Sequence, residues 1–300
     1  MPAFNAGRFI EQSLNSVIEQ SFTDWELIVV DDESTDNTAE IVKNYALRDK
    51  RIHYVWQKNG KQGKARNFGI AKSSGKWIAF LDADDVWMPD KLERQLILFR
   101  ESNVHLVFGH SFVTKNNVKT AQQIGRGSGF YQHSSAEDFL LYADALIMST
   151  VMVRKDALIA VDGFGEDLRF QYCEDWHLWL KLAFSGFIFF SDGNVVSYYR
   201  IHESSATHIE SEASTKFFYA LLDLHFRFQT SDKLLKEVYK RARALVFHKK
   251  KIDRLLAADI LIVAKIAHPT IVAQLIPFRM LLTLSIHVFR RIFLVVYPIK

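Results

Sequence analysis

The stretch WIAFLDADDVW, residues 77–87, places three carboxylates directly after a run of apolar residues. The apolar run has the length and composition of a buried β-strand, so Asp82, Asp84 and Asp85 are predicted at its carboxyl end. Acidic groups so close together repel one another, and they lose hydration when they are buried. We therefore expect a cation or a hydrogen-bonding ligand at this strand end.

Strand-like and helix-like segments alternate along the chain around this stretch. Short runs rich in β-branched and aromatic residues predict strands, and apolar residues at helical spacing between them predict helices. This alternation is typical of an α/β sheet with helices on its faces. The predicted strands are residues 26–30, 52–56, 77–81, 104–109, 187–190 and 195–199, and a late helix is predicted at 174–186. From 114 to 145 the pattern weakens and predicts a polar loop.

Composition predicts a globular protein of a reducing compartment. The chain has 300 residues, 49% of them hydrophobic, which is enough for one large domain and an appendage. The single cysteine, Cys173, excludes an internal disulfide framework. Met1 is followed by Pro-Ala-Phe-Asn and not by a basic and then apolar run, so we expect no signal peptide and a cytoplasmic location.

Charge divides the chain into an acidic body and a basic tail. Residues 213–300 hold 16 Lys and Arg against 5 Asp and Glu, whereas residues 1–212 hold 22 against 29. We therefore predict two regions with different partners, 1–212 and 213–300.

The tail combines basic residues with long apolar segments that look helical. Arg279, Arg290 and Arg291 interrupt its most apolar part, so a membrane-spanning helix is not favoured. Cations beside apolar faces suit an anionic membrane surface, which predicts peripheral attachment to the cytoplasmic face. The alternative is that these helices pack on the body or in a dimer. The aliphatic stretches argue against nucleic acid as a partner.

Two strand ends carry acid clusters, and ligands of open α/β sheets bind at such ends. Asp31 and Asp32 follow the strand at 26–30, where the alternative is a helix cap. In the second cluster Asp82 and Asp84 form a D-x-D pair, which can share one Mg²⁺ or Mn²⁺ whose other ligands are waters and phosphate oxygens. The alternative is again a helix cap, at Asp84 or Asp85.

Basic and acidic side chains mark the starts of two predicted helices. Lys61, Lys64 and Arg66 lie where helix amides favour an anion, so we expect a phosphate group there. Glu174 and Asp175 open the aromatic-rich helix at 174–186. They either complement the helix dipole or supply a general base.

Five segments, in this order and spacing, resemble glycosyltransferase family 2, a family of inverting enzymes with the GT-A fold. They are MPAFNAGRFIEQSLNSVIEQSF, ELIVVDDESTDNT, GKARNFGIAKSSGKWIAFLDADDVWMPDKLERQL, CEDWHLWLKL and YYRIHESSAT, within residues 1–208. The resemblance implies a GT-A domain, with a Rossmann-like nucleotide-binding sheet and helices on both faces, followed by a C-terminal helical region. Glu33 stands where the family usually has glycine, which makes that turn less permissive.

The resemblance also implies roles for individual residues. The implied nucleotide site consists of Pro2, Phe4, Asn5, Asp31, Asp32, Arg66 and Asp82. Asp84 is expected to bind the Mn²⁺ or Mg²⁺ that bridges the two phosphates, and His202 to contact the diphosphate or metal. Asp175 is the expected catalytic base, with Glu174 as the next candidate.

The implied reaction is metal-dependent transfer of a sugar from a nucleotide-sugar donor, with UDP favoured, to a hydroxyl of a glycan or lipid-linked acceptor. Such a reaction belongs to polysaccharide biosynthesis for the cell envelope. Two alternatives stay open. One is a haloacid-dehalogenase-type phosphatase with Asp82 as nucleophile and Asp84 as acid, and the other is a catalytically idle sugar-nucleotide-binding module.

A final expectation concerns the amino end. In the family that this sequence resembles, the Pro-Ala-Phe-Asn segment follows a short apolar strand in the centre of the sheet, whereas here Met1 stands directly before Pro2. We expect an unpaired position in the sheet, which about five to eight upstream apolar residues would fill.

Overall fold

The computed structural model describes residues 1–115, 118–132, 134–142, 146–203, 210–228 and 232–245. The chain forms two compact units, Met1–His208 and Ile209–Lys300. The predicted division at residue 212 stays a prediction.

Ten strands and nine α-helices lie within the described residues. The strands are β1 (Pro2–Ala3), β2 (Leu27–Asp31), β3 (Ile52–Trp56), β4 (Trp77–Ala79), β5 (Val86–Trp87), β6 (Leu106–Lys115), β7 (Val118–Ile124), β8 (Gly129–Tyr131), β9 (Met152–Arg154) and β10 (Phe189–Ile201). The helices are α1 (Ile10–Ile18), α2 (Thr38–Arg48), α3 (Lys61–Lys72), α4 (Lys91–Glu101), α5 (Ser134–Tyr142), α6 (Lys155–Ala160), α7 (Glu174–Phe184), α8 (Glu210–Arg227) and α9 (Asp232–Leu245).

The strands of the first unit form two sheets. The first sheet is parallel, with the order β1-β2-β3. Every residue of β2 is buried, as expected for a parallel strand that is covered on both faces. The second sheet has seven strands, with the order β4-β9-β6-β10-β5, and β7 and β8 pair with β6 and β10. The predicted α/β class is confirmed.

The core forms where amphipathic helices cover the first sheet. Ile10 and Leu14 of α1 are fully buried and belong to the same apolar cluster as Val29 of β2 and Val42 of α2. The spacing of these apolar residues produces the helices that the sequence predicts, because each helix must bury one face. The carboxyl end of β2 is fixed by this packing, and Asp31 with it.

The predicted loop at 114–145 is wrong, because this region contains β7, β8 and α5. The sequence of β7, VKTAQQI, is polar on both faces and lacks the alternation that predicts a strand. It becomes a strand because it pairs antiparallel with β6, where Ser111 lies opposite Ile124 and Lys115 opposite Val118. Tertiary pairing decides such a segment more than its own propensity.

The two strands predicted at 187–190 and 195–199 are one strand, β10. The SDGN segment between them does not end the strand, because the pairing with β6 shifts register between Ser191 and Val195 and then continues. Gly193 lies within this irregularity and has a φ of +71°. Glycine adopts this left-handed conformation without steric cost. Glu33 also has a left-handed φ, of +68°, a conformation that glycine adopts more readily than residues with a side chain.

The second unit contains α8 and α9. Phe218, Leu221 and Leu224 of α8 and Leu234 and Val238 of α9 are buried. Within the described ranges, no helix is both long and apolar enough to cross a bilayer. The apolar tail segments beyond residue 245 lie outside the described residues, so their predicted membrane attachment stays a prediction.

Candidate active site

Asp31 lies at the end of β2, where two neighbouring elements donate hydrogen bonds to it. Its carboxylate accepts from the Ser34 N–H at 2.8 Å and from the Tyr54 hydroxyl of β3 at 2.7 Å. Burial and this hydrogen bond raise the pKa of Tyr54 to about 12. The sequence analysis did not identify Tyr54 as a site residue. Its pairing opposite Val29 on the adjacent strand brings it near Asp31.

Asp32 is the anion at the start of α3. Its carboxylate accepts hydrogen bonds from the N–H groups of Gly60 at 2.9 Å and Lys61 at 3.0 Å, and from the Gln57 side chain at 2.7 Å. Asp32 thus takes the first two of these amides, and the expected phosphate at this helix start stays a prediction. Lys61 and Lys64 are exposed.

The Pro2–Asn5 segment lies against the loop that follows β2. Asn5 has a φ of +49°; its N–H donates to the Ser34 hydroxyl at 3.0 Å, and its side-chain oxygen accepts from the Thr35 N–H at 2.8 Å. Pro2 belongs to β1 beside Val30. Phe4 is 52% exposed, and its expected contact with a nucleotide stays a prediction.

Arg66 of α3 bridges two carboxylates that lie far apart in the sequence. Its Nη1 donates to Glu174 Oε1 and its Nη2 to Asp82 Oδ1, both at 2.8 Å. Arg66 and Glu174 are buried, at 7% and 6% exposure. Burial alone would lower the pKa of Arg66, but Asp82 and Glu174 together raise it. The expected contact of Arg66 with a nucleotide or diphosphate stays a prediction.

Asp175 lies beside this ion bridge, in the first turn of α7. Its carboxylate is half-buried and accepts the Trp176 N–H at 2.7 Å. Removal from water and repulsion by Glu174 raise the pKa of Asp175 to about 7, against the opposing attraction of Arg66. A carboxylate with such a pKa can exchange a proton near neutral pH.

The three acids of the D-A-D-D motif have three different partners. Asp82 pairs with Arg66, whereas Asp84 Oδ2 lies 2.9 Å from His202 Nε2. Asp85 is buried and accepts the Arg200 N–H at 2.9 Å. Burial and repulsion raise the pKa of both Asp84 and Asp85. Asp85 therefore anchors the end of β10, which brings His202 to Asp84.

The Asp84 and His202 pair fits a divalent cation. It offers carboxylate oxygens and an imidazole nitrogen, and Mg²⁺ and Mn²⁺ usually keep several waters or substrate oxygens besides a few protein ligands. Among the described side chains, no group of three or more His, Cys, Asp or Glu residues is arranged to hold a metal by itself. Such an ion would need substrate phosphates as further ligands.

A family model described as glycosyl transferase family 2 matches residues 1–158, more than half of the chain. The chain belongs to glycosyl transferase family 2. This assignment confirms the resemblance and sets aside the phosphatase alternative.

Two named glycosyltransferases are similar in sequence to this family 2 glycosyltransferase. TuaG of Bacillus subtilis, a glycosyltransferase named for teichuronic acid biosynthesis, is 32% identical over 75% of this chain and 88% of its own. WfgD of Escherichia coli, a UDP-Glc:α-D-GlcNAc-diphosphoundecaprenol β-1,3-glucosyltransferase, is 31% identical over 68% of this chain and 77% of its own.

Two solved structures share the fold. S. aureus TarS, in complex with UDP-GlcNAc, superposes with a TM-score of 0.67 at 20% identity, covering 87% of this chain and 79% of that one. The mannosyltransferase PcManGT of Pyrobaculum calidifontis, in complex with GDP-Man and Mn²⁺, gives a TM-score of 0.57 at 19% identity, covering 97% and 81%. The GT-A prediction is confirmed.

Removal of the positive charge of Arg66 should destabilise the fold. Arg66→Met leaves Glu174 buried without its partner, so we expect the free energy of unfolding to fall by about 3–5 kcal/mol, measured by urea denaturation. Restoring neutrality with Glu174→Gln in the same chain should recover part of this loss.

The matched control is Arg154→Met, which removes a more exposed pair with Asp156 and should cost less than about 1 kcal/mol. Equal losses of unfolding free energy in Arg66→Met and Arg154→Met would show that the buried bridge stabilises the fold no more than an exposed ion pair does.

Proposed function

We propose that this glycosyltransferase moves a sugar from a UDP-sugar to a hydroxyl of a lipid-linked or glycan acceptor, with inversion at the anomeric carbon and with Asp175 as the base. The observation that carries the proposal is the placement of Asp175 beside the Arg66 bridge, which ties α7 to Asp82 in the segment after β4. A proton acceptor and a predicted donor contact are thereby held in one cluster.

The donor and acceptor classes are supported by the relatives. TarS was captured with UDP-GlcNAc, and WfgD is named for a UDP-Glc donor and a diphosphoundecaprenol-linked acceptor. In this chain Pro2, Phe4 and Asn5, together with Asp31 and Asp32, are the proposed nucleoside site. Asp82 is the proposed ribose contact.

The proposed chemistry is a single displacement. The acceptor hydroxyl oxygen forms a bond to the anomeric carbon, the bond from that carbon to the diphosphate breaks, and the hydroxyl proton passes to an Asp175 oxygen. Attack opposite the leaving group inverts the anomeric centre. The reaction therefore needs no covalent intermediate and no second carboxylate as a nucleophile. Arg66 acts by positioning Asp82 and Glu174, since its described hydrogen bonds go to them.

Asp84 and His202 are the proposed ligands for Mn²⁺ or Mg²⁺. When it is bound, such an ion offsets negative charge on the departing diphosphate. The Mn²⁺ in the PcManGT complex supports this choice. Phe9 stacks on the His202 ring with the centroids 4.5 Å apart, which keeps the imidazole oriented toward Asp84.

A lipid-linked acceptor would place the reaction at a membrane surface. The basic residues of 213–300 would hold the enzyme at an anionic surface on the cytoplasmic side. A dimer formed through the helical tail is the alternative use of this region.

Loss of Asp84 should remove metal-dependent donor binding. Asp84→Ala takes away a carboxylate that the proposed ion requires, so calorimetry with UDP should show no strengthening of binding when Mn²⁺ is added. The control Asp156→Ala removes an exposed carboxylate elsewhere and should bind UDP and Mn²⁺ as the unchanged chain does. The same Mn²⁺ dependence in both variants would place the metal elsewhere.

Asp175→Asn should keep donor binding but lower kcat by about 10² or more, the scale expected for the loss of a general base. Because Asp175 must be ionised to accept the proton, kcat/KM of the unchanged chain should rise with pH, with a midpoint near its pKa of about 7, and then level off. This rise should be absent in the variant. A near-normal rate in Asp175→Asn would move the base to Glu174.

A further inference from the structure

Ser149 lies in a 3₁₀ turn, Met148–Thr150, shortly before β9. β9 pairs antiparallel with β4, and the ladder goes on beyond β4, where the Phe80 N–H donates to the Val151 carbonyl at 3.1 Å. Hydrogen-bonded pairs of an antiparallel ladder recur every two residues, so the next pair is Asp82 and Ser149. Ser149 therefore lies opposite the first acid of the D-A-D-D motif.

At Asp82 a side chain replaces the backbone partner of the ladder. A regular ladder would join the Asp82 N–H to the Ser149 carbonyl. Instead, the Asp82 N–H donates to the Ser149 hydroxyl oxygen at 3.1 Å, and the Ser149 carbonyl accepts the Trp87 indole N–H at 2.8 Å. The hydroxyl of Ser149 thus fixes Asp82 where the regular backbone pairing ends.

The same hydroxyl also holds Asp85. It donates to Asp85 Oδ2 at 2.5 Å, while Asp85 Oδ1 accepts the Arg200 N–H at 2.9 Å. Ser149 is fully buried and Asp85 is 1% exposed, so bulk water does not reach this hydrogen bond. Ser149 therefore donates to one acid of the motif and accepts from the backbone of another.

The turn that carries Ser149 is itself fixed by buried side chains of neighbouring elements. Trp87 of β5 binds the Ser149 carbonyl, and the Gln95 amide of α4 donates to the Thr150 carbonyl at 2.8 Å. The Lys91 ammonium donates to Gln95 Oε1 at 2.7 Å and so orients that amide. A residue can position its neighbours precisely only when its own place is fixed in this way.

We propose that Ser149 is a positioning residue of the donor site. It holds Asp82 and Asp85, and these two acids flank Asp84 in the sequence. Asp84 is the proposed ligand of the divalent ion, and Asp82 is the proposed ribose contact. Through Asp85, Ser149 also fixes the end of β10, two residues before His202. This role rests on the proposed function, whereas the contacts of Ser149 do not.

The test compares Ser149→Ala with the matched control Ser191→Ala in the full chain. Ser191 is also fully buried, and its hydroxyl donates to the Arg126 carbonyl at 2.8 Å, at the other end of β10 from Arg200. Ser149→Cys keeps a side chain of similar shape with only a weak donor, and replaces Ser149→Ala if that variant does not fold.

Three quantities are measured on each chain. Thermal unfolding and exchange of the Arg200 amide are followed without donor or metal, and UDP affinity is measured by calorimetry with and without Mn²⁺. The Arg200 amide reports on positioning because it donates to Asp85 and not to Ser149.

We expect both alanine variants to unfold at a lower temperature than the unchanged chain, since each loses a buried hydrogen bond. Only Ser149→Ala should also speed exchange of the Arg200 amide by about tenfold and weaken UDP binding with Mn²⁺ by about tenfold or more. Equal UDP affinity in the two variants would overturn the proposal. Weaker UDP binding with unchanged exchange at Arg200 would uphold positioning through Asp82 alone.

Failure of the proposed metal site gives a different result. In that case Mn²⁺ would not strengthen UDP binding by the unchanged chain, and the affinities without metal would decide the role of Ser149 through Asp82. Weaker metal-free binding by Ser149→Ala than by Ser191→Ala would uphold that role, and equal binding would overturn it.

Discussion

The ion bridge from Arg66 to Asp82 and Glu174 is the interaction on which the rest of the site depends. A guanidinium loses hydration when it is buried, and partners of opposite charge offset that cost. Arg66 comes from α3, Asp82 from the segment after β4 and Glu174 from the first turn of α7, so this requirement ties three elements together. The position of α7, and of Asp175 with it, follows from the bridge.

The acids can lie close together because each one has a different partner. Asp32 caps α3, Asp85 anchors the end of β10 and Asp84 meets His202. Asp175 differs from them, since the nearby Arg66 is already shared by two other carboxylates. Removal from water and repulsion by Glu174 raise its pKa to about 7, against the attraction of Arg66, so a proton acceptor lies beside the ion bridge.

The sequence predicts the local features of this protein well, and its distant contacts poorly. Strands β2 and β3 of the first sheet and the helices around them follow from apolar spacing, and the acid clusters at strand ends follow from the α/β class. The bridge from Arg66 to Glu174 joins residues 108 apart, and no local pattern indicates such a pair. The sequence allows a helix cap at Asp32, but no local pattern indicates that Asp32 caps α3, whose first amides lie far along the chain. Strand β7 was missed because only its pairing with β6 makes it a strand.

The central claim is that the sugar is transferred in a single displacement, with one carboxylate beside the ion bridge acting as the base. The anomeric configuration of the product tests it most directly, by proton NMR of the first product formed from an α-linked UDP-sugar and a lipid-linked acceptor. We predict a β-linked product from the first turnover. An α-linked product would require a second displacement and a covalent intermediate, and would contradict the account.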